Sequence, residues 1–161
     1  MKIIKIATEI TAEMVLDPNR PPEILAEVLR REKDDWVSIY AVQNPNCPPE
    51  ALAEVLRRGK DNEVSRYAAE NKNCPPEYNW FWKNKIERPT TWFLNYLDAP
   101  VEVENNPEIF KLVKQDLVKT LNELLIGKIS LTDEEKNEMN KIVDYLSKSD
   151  FVVSLYKDKI T

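Results

Sequence analysis

A chain of 161 residues is long enough for one well-buried domain or two small ones, and 42% hydrophobic with 32% charged residues is a globular composition rather than a disordered one. Only two glycines occur, too few for the hairpins and phosphate loops that need glycine's backbone freedom, so helices joined by proline and asparagine turns are expected. The net charge of −5, divided as −2 over residues 1–100 and −3 over 101–161, lacks the basic excess on which non-specific nucleic-acid binding draws.

At the N-terminus, Met1-Lys2-Ile3-Ile4-Lys5-Ile6 is followed at once by Glu9 and Glu13, which does not fit a secretory signal. No apolar run approaches the roughly 20 residues of a membrane span. Two cysteines do not make a disulfide framework. The expectation is a cytoplasmic protein with no membrane association.

A repeat then dominates the chain. Residues 18–44 read PNRPPEILAEVLRREKDDWVSIYAVQN and residues 45–71 read PNCPPEALAEVLRRGKDNEVSRYAAEN, identical at 19 of 27 positions. A third unit, 72–98, keeps Asn73-Cys74-Pro75-Pro76-Glu77 and then diverges, although Asp98 still falls in the slot of Asn44 and Asn71. Residues 8–17 form a leading half-unit in the same register. The repeat region is therefore set at 1–100, and residues 101–161 stand apart.

Each unit reads as two helices. Proline suits the first helical turn, where its missing N–H has no partner to lose, and the glutamate beside it favours the positive end of the helix dipole. Leu25, Val28 and Leu29, matched by Leu52, Val55 and Leu56, follow the i, i+3, i+4 spacing of one buried stripe. The second helix is shorter, with Val37, Tyr40 and Ala41, then Val64, Tyr67 and Ala68, at the same spacing. It is stopped at Asn44-Pro45 and Asn71, because a residue before proline is pushed out of helical dihedrals. One such unit cannot bury both helices alone, whereas stacked neighbours can. The expected class is all-α, with an α-solenoid over 1–100.

The string Asn44-Pro45-Asn46-Cys47-Pro48-Pro49-Glu50-Ala51-Leu52-Ala53 resembles the leucine-rich repeat variant family over about residues 8–100. That resemblance implies a short right-handed α/α superhelix and a binding scaffold without chemistry. One family member carries an iron–sulphur module on a separate cysteine cluster; this chain has no such cluster, and no cofactor is carried over.

Three sets of residues invite a functional reading. Cys47 and Cys74 sit one repeat apart with Arg20 in the same slot, but a metal would need two further thiolates or imidazoles and the chain has no histidine. The bland reading is a small residue at a helix start. Arg30-Arg31 and Arg57-Arg58 recur with the repeat, extended by Lys85, as a ladder able to clamp carboxylates or phosphates. Against that, Glu27 to Arg31 and Glu54 to Arg58 are i, i+4 pairs on a solvated face, where charge reversal of Arg31 and Arg58 would leave the fold intact. Tyr78, Trp80, Phe81, Trp82 and Trp92 concentrate in the third unit with Phe93 and Tyr96. They are either an aromatic partner-binding surface or a terminal unit packed under the C-terminal third. There Asn79 replaces the buried Leu52, and Phe81 takes the place of Glu54.

In the C-terminal third, Asn106-Pro107-Glu108 opens a helix to Ile126 with Phe110, Val113, Leu117, Leu121, Leu124 and Leu125 on one face, closed by Gly127. Thr132-Asp133-Glu134-Glu135 fits a capping box, followed by the stripe Met139, Ile142, Val143 and Leu146. Asp150–Lys157 reads as a third, shorter helix or a strand, with its context favouring helix. These elements are expected to form a helical cap on the solenoid. No histidine, phosphate loop or nucleophile motif points to catalysis, so the functional expectation is a non-catalytic protein–protein interaction scaffold, or a small regulatory subunit of a larger complex. Its partner would be another protein, met through an acidic segment. A nucleic-acid-binding accessory using the arginine ladder is the alternative, and an enzyme the remote one.

Overall fold

The structure is a computed structural model, and it describes residues 15–161; residues 8–14 of the leading half-unit and the N-terminal segment before them lie outside the described residues. Among the described residues all regular structure is helical and there is no strand, so the chain is all-α. In order come α1 (Pro22–Arg30), α2 (Trp36–Gln43), α3 (Pro49–Arg57), α4 (Glu63–Glu70), α5 (Pro76–Glu87), a 3-10 helix (Trp92–Asp98), α6 (Val101–Glu104), α7 (Pro107–Leu125), α8 (Asp133–Ser147) and α9 (Phe151–Ser154). They divide into two compact units, Met1–Ile86 and Glu87–Thr161. The division falls inside the third repeat, so Trp92–Asp98 folds with the C-terminal helices.

In the first unit, equivalent positions adopt equivalent geometry. Pro22 and Pro49 open α1 and α3, each with a glutamate in the first turn. Asp35 and Asn62 cap α2 and α4, each side chain accepting a 2.9 Å hydrogen bond from the backbone N–H of Ser38 or Ser65. After α1 and α3 the chain turns through a left-handed residue, Glu32 (φ 56°) and Gly59 (φ 67°). The third unit has Ile86 in that slot. A β-branched side chain resists positive φ, and α5 accordingly runs on to 12 residues where α1 and α3 have 9.

The expected stripe Leu25, Val28, Leu29 and its repeat Leu52, Val55, Leu56 are buried. The second helices differ from expectation. Ser38, Ile39, Ala41 and Val42 are buried in α2, and Val64, Ser65 and Ala68 in α4, while Val37, Tyr40 and Tyr67 stay partly exposed. The contact partners explain the shift: α2 packs both on α1 and on α4 of the next unit, so its buried arc is wider than one stripe and displaced from it.

The short second helices raise a problem of hydrogen bonding. The last carbonyls of a helix have no partner within it. In α2, Val42 O is met by Asn71 Nδ2 at 2.8 Å, and that same amide donates to Asn44 O at 3.1 Å. One repeat earlier, Asn44 Nδ2 donates to Val15 O and Asp17 O, both at 2.8 Å. Each asparagine also accepts through Oδ1 from the backbone two residues on, Asn46 and Asn73 respectively, at 2.8 Å. Beside this ladder runs a second: Asn46 Nδ2 donates to Arg20 O, and Asn73 Nδ2 to Pro45 O and Cys47 O.

The ends of the ladder follow the same logic. Asp17, in the first slot, keeps the acceptor half by taking the N–H of Asn19 at 2.9 Å, and a carboxylate has no N–H to donate further back. At the other end the next carbonyl in register is Ala69 O. It is met by Asn79 Nδ2 at 2.7 Å. The asparagine that interrupts the leucine stripe of α5 therefore closes the ladder.

The second unit is built around α7 and α8, both of which pack on the 3-10 helix or its neighbours. Asn106 caps α7 by accepting from Glu108 and Ile109 N–H groups. The capping box at Thr132 and Glu135 is present, at 3.1 Å in both directions, and Met139, Ile142, Val143 and Leu146 are buried as expected. The stripe on α7 is corrected: Ile109, Val113, Leu117, Thr120 and Leu121 are buried, Leu125 is exposed, and Phe110 lies at the margin against Tyr96. Ile109 carries the strict i, i+4 series 109–113–117–121, which rotates Phe110 and Leu124 to its edge. Gly127 (φ 78°) ends the helix, and α9 covers Phe151–Ser154, capped by Asp150.

Replacing Asn79 by leucine restores the repeat's own residue and adds apolar burial, yet it leaves Ala69 O without its donor. We expect Asn79→Leu to destabilise the protein by about 1–3 kcal/mol, measured by urea unfolding. An unchanged or raised midpoint would show that the carbonyl needs no cap.

Candidate interaction surface

Of the two arginines in each repeat, one is committed to the fold. The Arg31 guanidinium donates from Nε to Val28 O at 3.0 Å and from NH2 to Asp35 and Ser38, both at 3.1 Å. Arg58 reaches across the repeat, donating to Leu29 O at 3.0 Å and pairing with Glu32 at 3.5 Å. Both add a side-chain donor to C-terminal carbonyls of α1 that also accept from the backbone N–H groups of Arg31 and Glu32. Their side chains are only 23% and 20% exposed, so the solvated face expected for them is corrected. Burial alone would raise the Asp35 carboxyl, but hydrogen bonds from Ser38 and the charge of Arg31 outweigh it and hold that group below its usual range.

The i, i+4 pairings are corrected as well. Glu27 pairs with Arg30 one residue nearer, at 3.4 Å, with Arg30 58% exposed. Arg57 is also exposed and lies over the Tyr78 ring, 5.5 Å from its centroid. Lys85 lies along Gly59, where its stem stands 3.3 Å from the place a Cβ would occupy. The five cations thus form no continuous row of outward-facing charges.

The aromatic residues of the third unit are largely interior. Tyr78, Phe81, Trp82 and Trp92 are buried, and Trp80 is half-buried. Trp82 Nε1 donates to Lys60 O at 2.8 Å within the first unit. Trp92 belongs to the second unit, where its Nε1 donates to Asp116 Oδ2 at 2.7 Å and its ring meets Phe93 edge-on. Trp80 borders a hollow of about 400 Å³ together with Cys74, Asn79 and Lys83. Burial pushes the Cys47 thiol up to about 12 and the Cys74 thiol to about 11, which keeps both protonated at neutral pH. Among the described residues no three histidine, cysteine, aspartate or glutamate side chains converge as metal ligands would, and no helix is long and apolar enough to cross a membrane.

A different feature repeats on the surface. Between α1 and α3 lies a groove of about 260 Å³, lined by Pro22, Glu23, Ala26, Arg30, Glu50 and Ala51 among others. Between α3 and α5 lies a second, of about 310 Å³, lined by Pro49, Glu50, Ala53, Arg57, Glu77 and Tyr78. Apart from Glu54, these two sets correspond position for position, 27 residues apart. Glu50 and Glu54 border both grooves. Prolines and buried alanines line both grooves beside the charged side chains, and the buried Tyr78 takes the place of Ala51 in the second. This surface escaped sequence reasoning, which followed the leucine and valine stripe and gave Ala26, Ala51 and Ala53 no role.

No family model matches the chain, and no curated protein or solved structure matches it at a significant level.

The arginine geometry carries a direct consequence. Reversing charge at Arg31 and Arg58 together removes the caps on Val28 O and Leu29 O and sets carboxylates against Asp35 and Glu32. The double variant Arg31→Glu, Arg58→Glu should lose about 2–4 kcal/mol of stability, read from thermal and urea unfolding. A double variant as stable as the parent would return both arginines to the solvated surface.

Proposed function

We propose that the repeat region is a short right-handed α-solenoid of the leucine-rich repeat variant kind, and that the protein works as a non-catalytic interaction scaffold or small regulatory subunit. The observation that carries this reading is the pair of equivalent grooves one repeat apart. A site for one small molecule is built once, whereas a surface repeated with the stack suits a partner that extends along it. The asparagine and arginine bonds between repeats support the same reading, because they hold successive units in one register and so pre-organise the surface. The arginine ladder proposed for nucleic acid draws no support from the geometry, since Arg31 and Arg58 are spent on helix carbonyls.

The test is capture of the partner on the full chain, reconstitution of the complex from purified components, and hydrogen exchange with and without the partner. A stoichiometric complex with slowed exchange along α1, α3 and α5 is expected. Slowed exchange confined to α2 and α4, or turnover of a small molecule by the purified protein, would overturn the assignment.

A further inference from the structure

We infer that the paired grooves receive an extended, basic segment of another protein, in polyproline II conformation with a lysine or arginine at every third residue. The inference rests on the scaffold reading above and adds the chemistry and spacing of the occupant.

Charge comes first. Four carboxylates line the grooves, Glu23, Glu50, Glu54 and Glu77, against two guanidiniums, Arg30 and Arg57. Arg30 already faces Glu27, and Arg57 lies over Tyr78. Among the described residues no ion pair joins any of the four glutamates to a cation. The two that border both grooves, Glu50 and Glu54, stand where one occupant would pass from the first groove into the second. An acidic segment would meet these carboxylates head-on, so the arginines no longer argue for one.

Spacing comes second. Successive grooves are separated by one helix, and packed helices lie about 8–10 Å apart. A β-strand repeats its facing side chains about every 6.6 Å, which falls out of step after one groove. A polyproline II segment has three residues per turn and a rise of about 3.1 Å, so it presents the same face about every 9.3 Å. That falls within the general spacing of packed helices. Its backbone makes no internal hydrogen bonds and is already ordered, which lowers the cost of binding to grooves lined by proline.

The experiment uses the full chain and three labelled peptides, read by fluorescence anisotropy. One is a twelve-residue repeat of Lys-Pro-Pro, one has the same residues with its lysines consecutive, and one is the Glu-Pro-Pro counterpart. The Lys-Pro-Pro peptide should bind about threefold or more tightly than the rearranged one, and its binding should weaken as salt rises. Glu50→Gln and Glu54→Gln should each weaken it by about threefold, with unfolding midpoints confirming that both variants remain folded. Equal binding of the rearranged peptide would overturn the spacing. Stronger binding of the acidic peptide would overturn the charge assignment, and binding of none would overturn the inference as a whole. In each of these cases the scaffold reading stands or falls separately, on the exchange pattern of the reconstituted complex.

Discussion

A helix of eight residues ends before it can repay the carbonyls it leaves open. In α2 and α4 those carbonyls are paired by an asparagine further along the chain, Asn71 for Val42 and Asn79 for Ala69. Helices this short are marginal in water, and the donor that completes each one is supplied from the next unit. Every repeat is thus unfinished without its neighbour. The identity of the slot follows from the chemistry: the side chain must donate twice backwards and accept once forwards, which an amide does and a carboxylate cannot. Asp17 stands where only the accepting half is in use.

The first helices differ: the last carbonyls of α1 are met by the backbone N–H groups of Arg31 and Glu32, and arginine adds a second donor to each. Arg31 caps Val28 O within its own repeat, and Arg58 caps Leu29 O in the preceding one. Residues enlisted to hold the stack are thereby withdrawn from its surface, which reverses the expected division of labour between fold and partner. What faces outward from α1, α3 and α5 is instead the edge carrying Glu23, Glu50, Glu54 and Glu77, with small residues between them. Fold and proposed function are linked through this allocation. The asparagines and Arg58 join successive units, and the glutamates with Arg30 and Arg57 line the grooves.

Local chemistry was legible in the sequence and long-range choice was not. The proline-led helix starts, the capping box at Thr132 and Glu135, and the stripe Met139–Leu146 depend on neighbours within a turn or two, and all are present. Glu27 had two arginines within reach, at i+3 and i+4, and spacing alone does not choose between them. The choice was made by Asp35 and Ser38, which draw Arg31 away. Trp92 looked like a member of the repeat because its phase is right; its partner Asp116 lies 24 residues on, and both belong to the C-terminal unit. Asn79 was visible as a polar residue in an apolar slot. Its purpose required knowing that Ala69 O would otherwise have no donor.

If repeats complete one another's helices, the array should accept another. The most direct test is a chain with a second copy of Pro45–Asn71 inserted between Asn71 and Lys72, unfolded in urea beside the parent. The insertion adds one new junction, between the two copies, where the asparagine bonds, the arginine-to-carbonyl bond and the groove recur with Gly59 in the slot of Glu32, while the junction with the third unit is kept. The account predicts a single cooperative transition with a steeper denaturant dependence, because more surface is buried, and a higher midpoint, because a repeat and an interface have been added. A separate early transition for the inserted copy, or a midpoint below that of the parent, would contradict it.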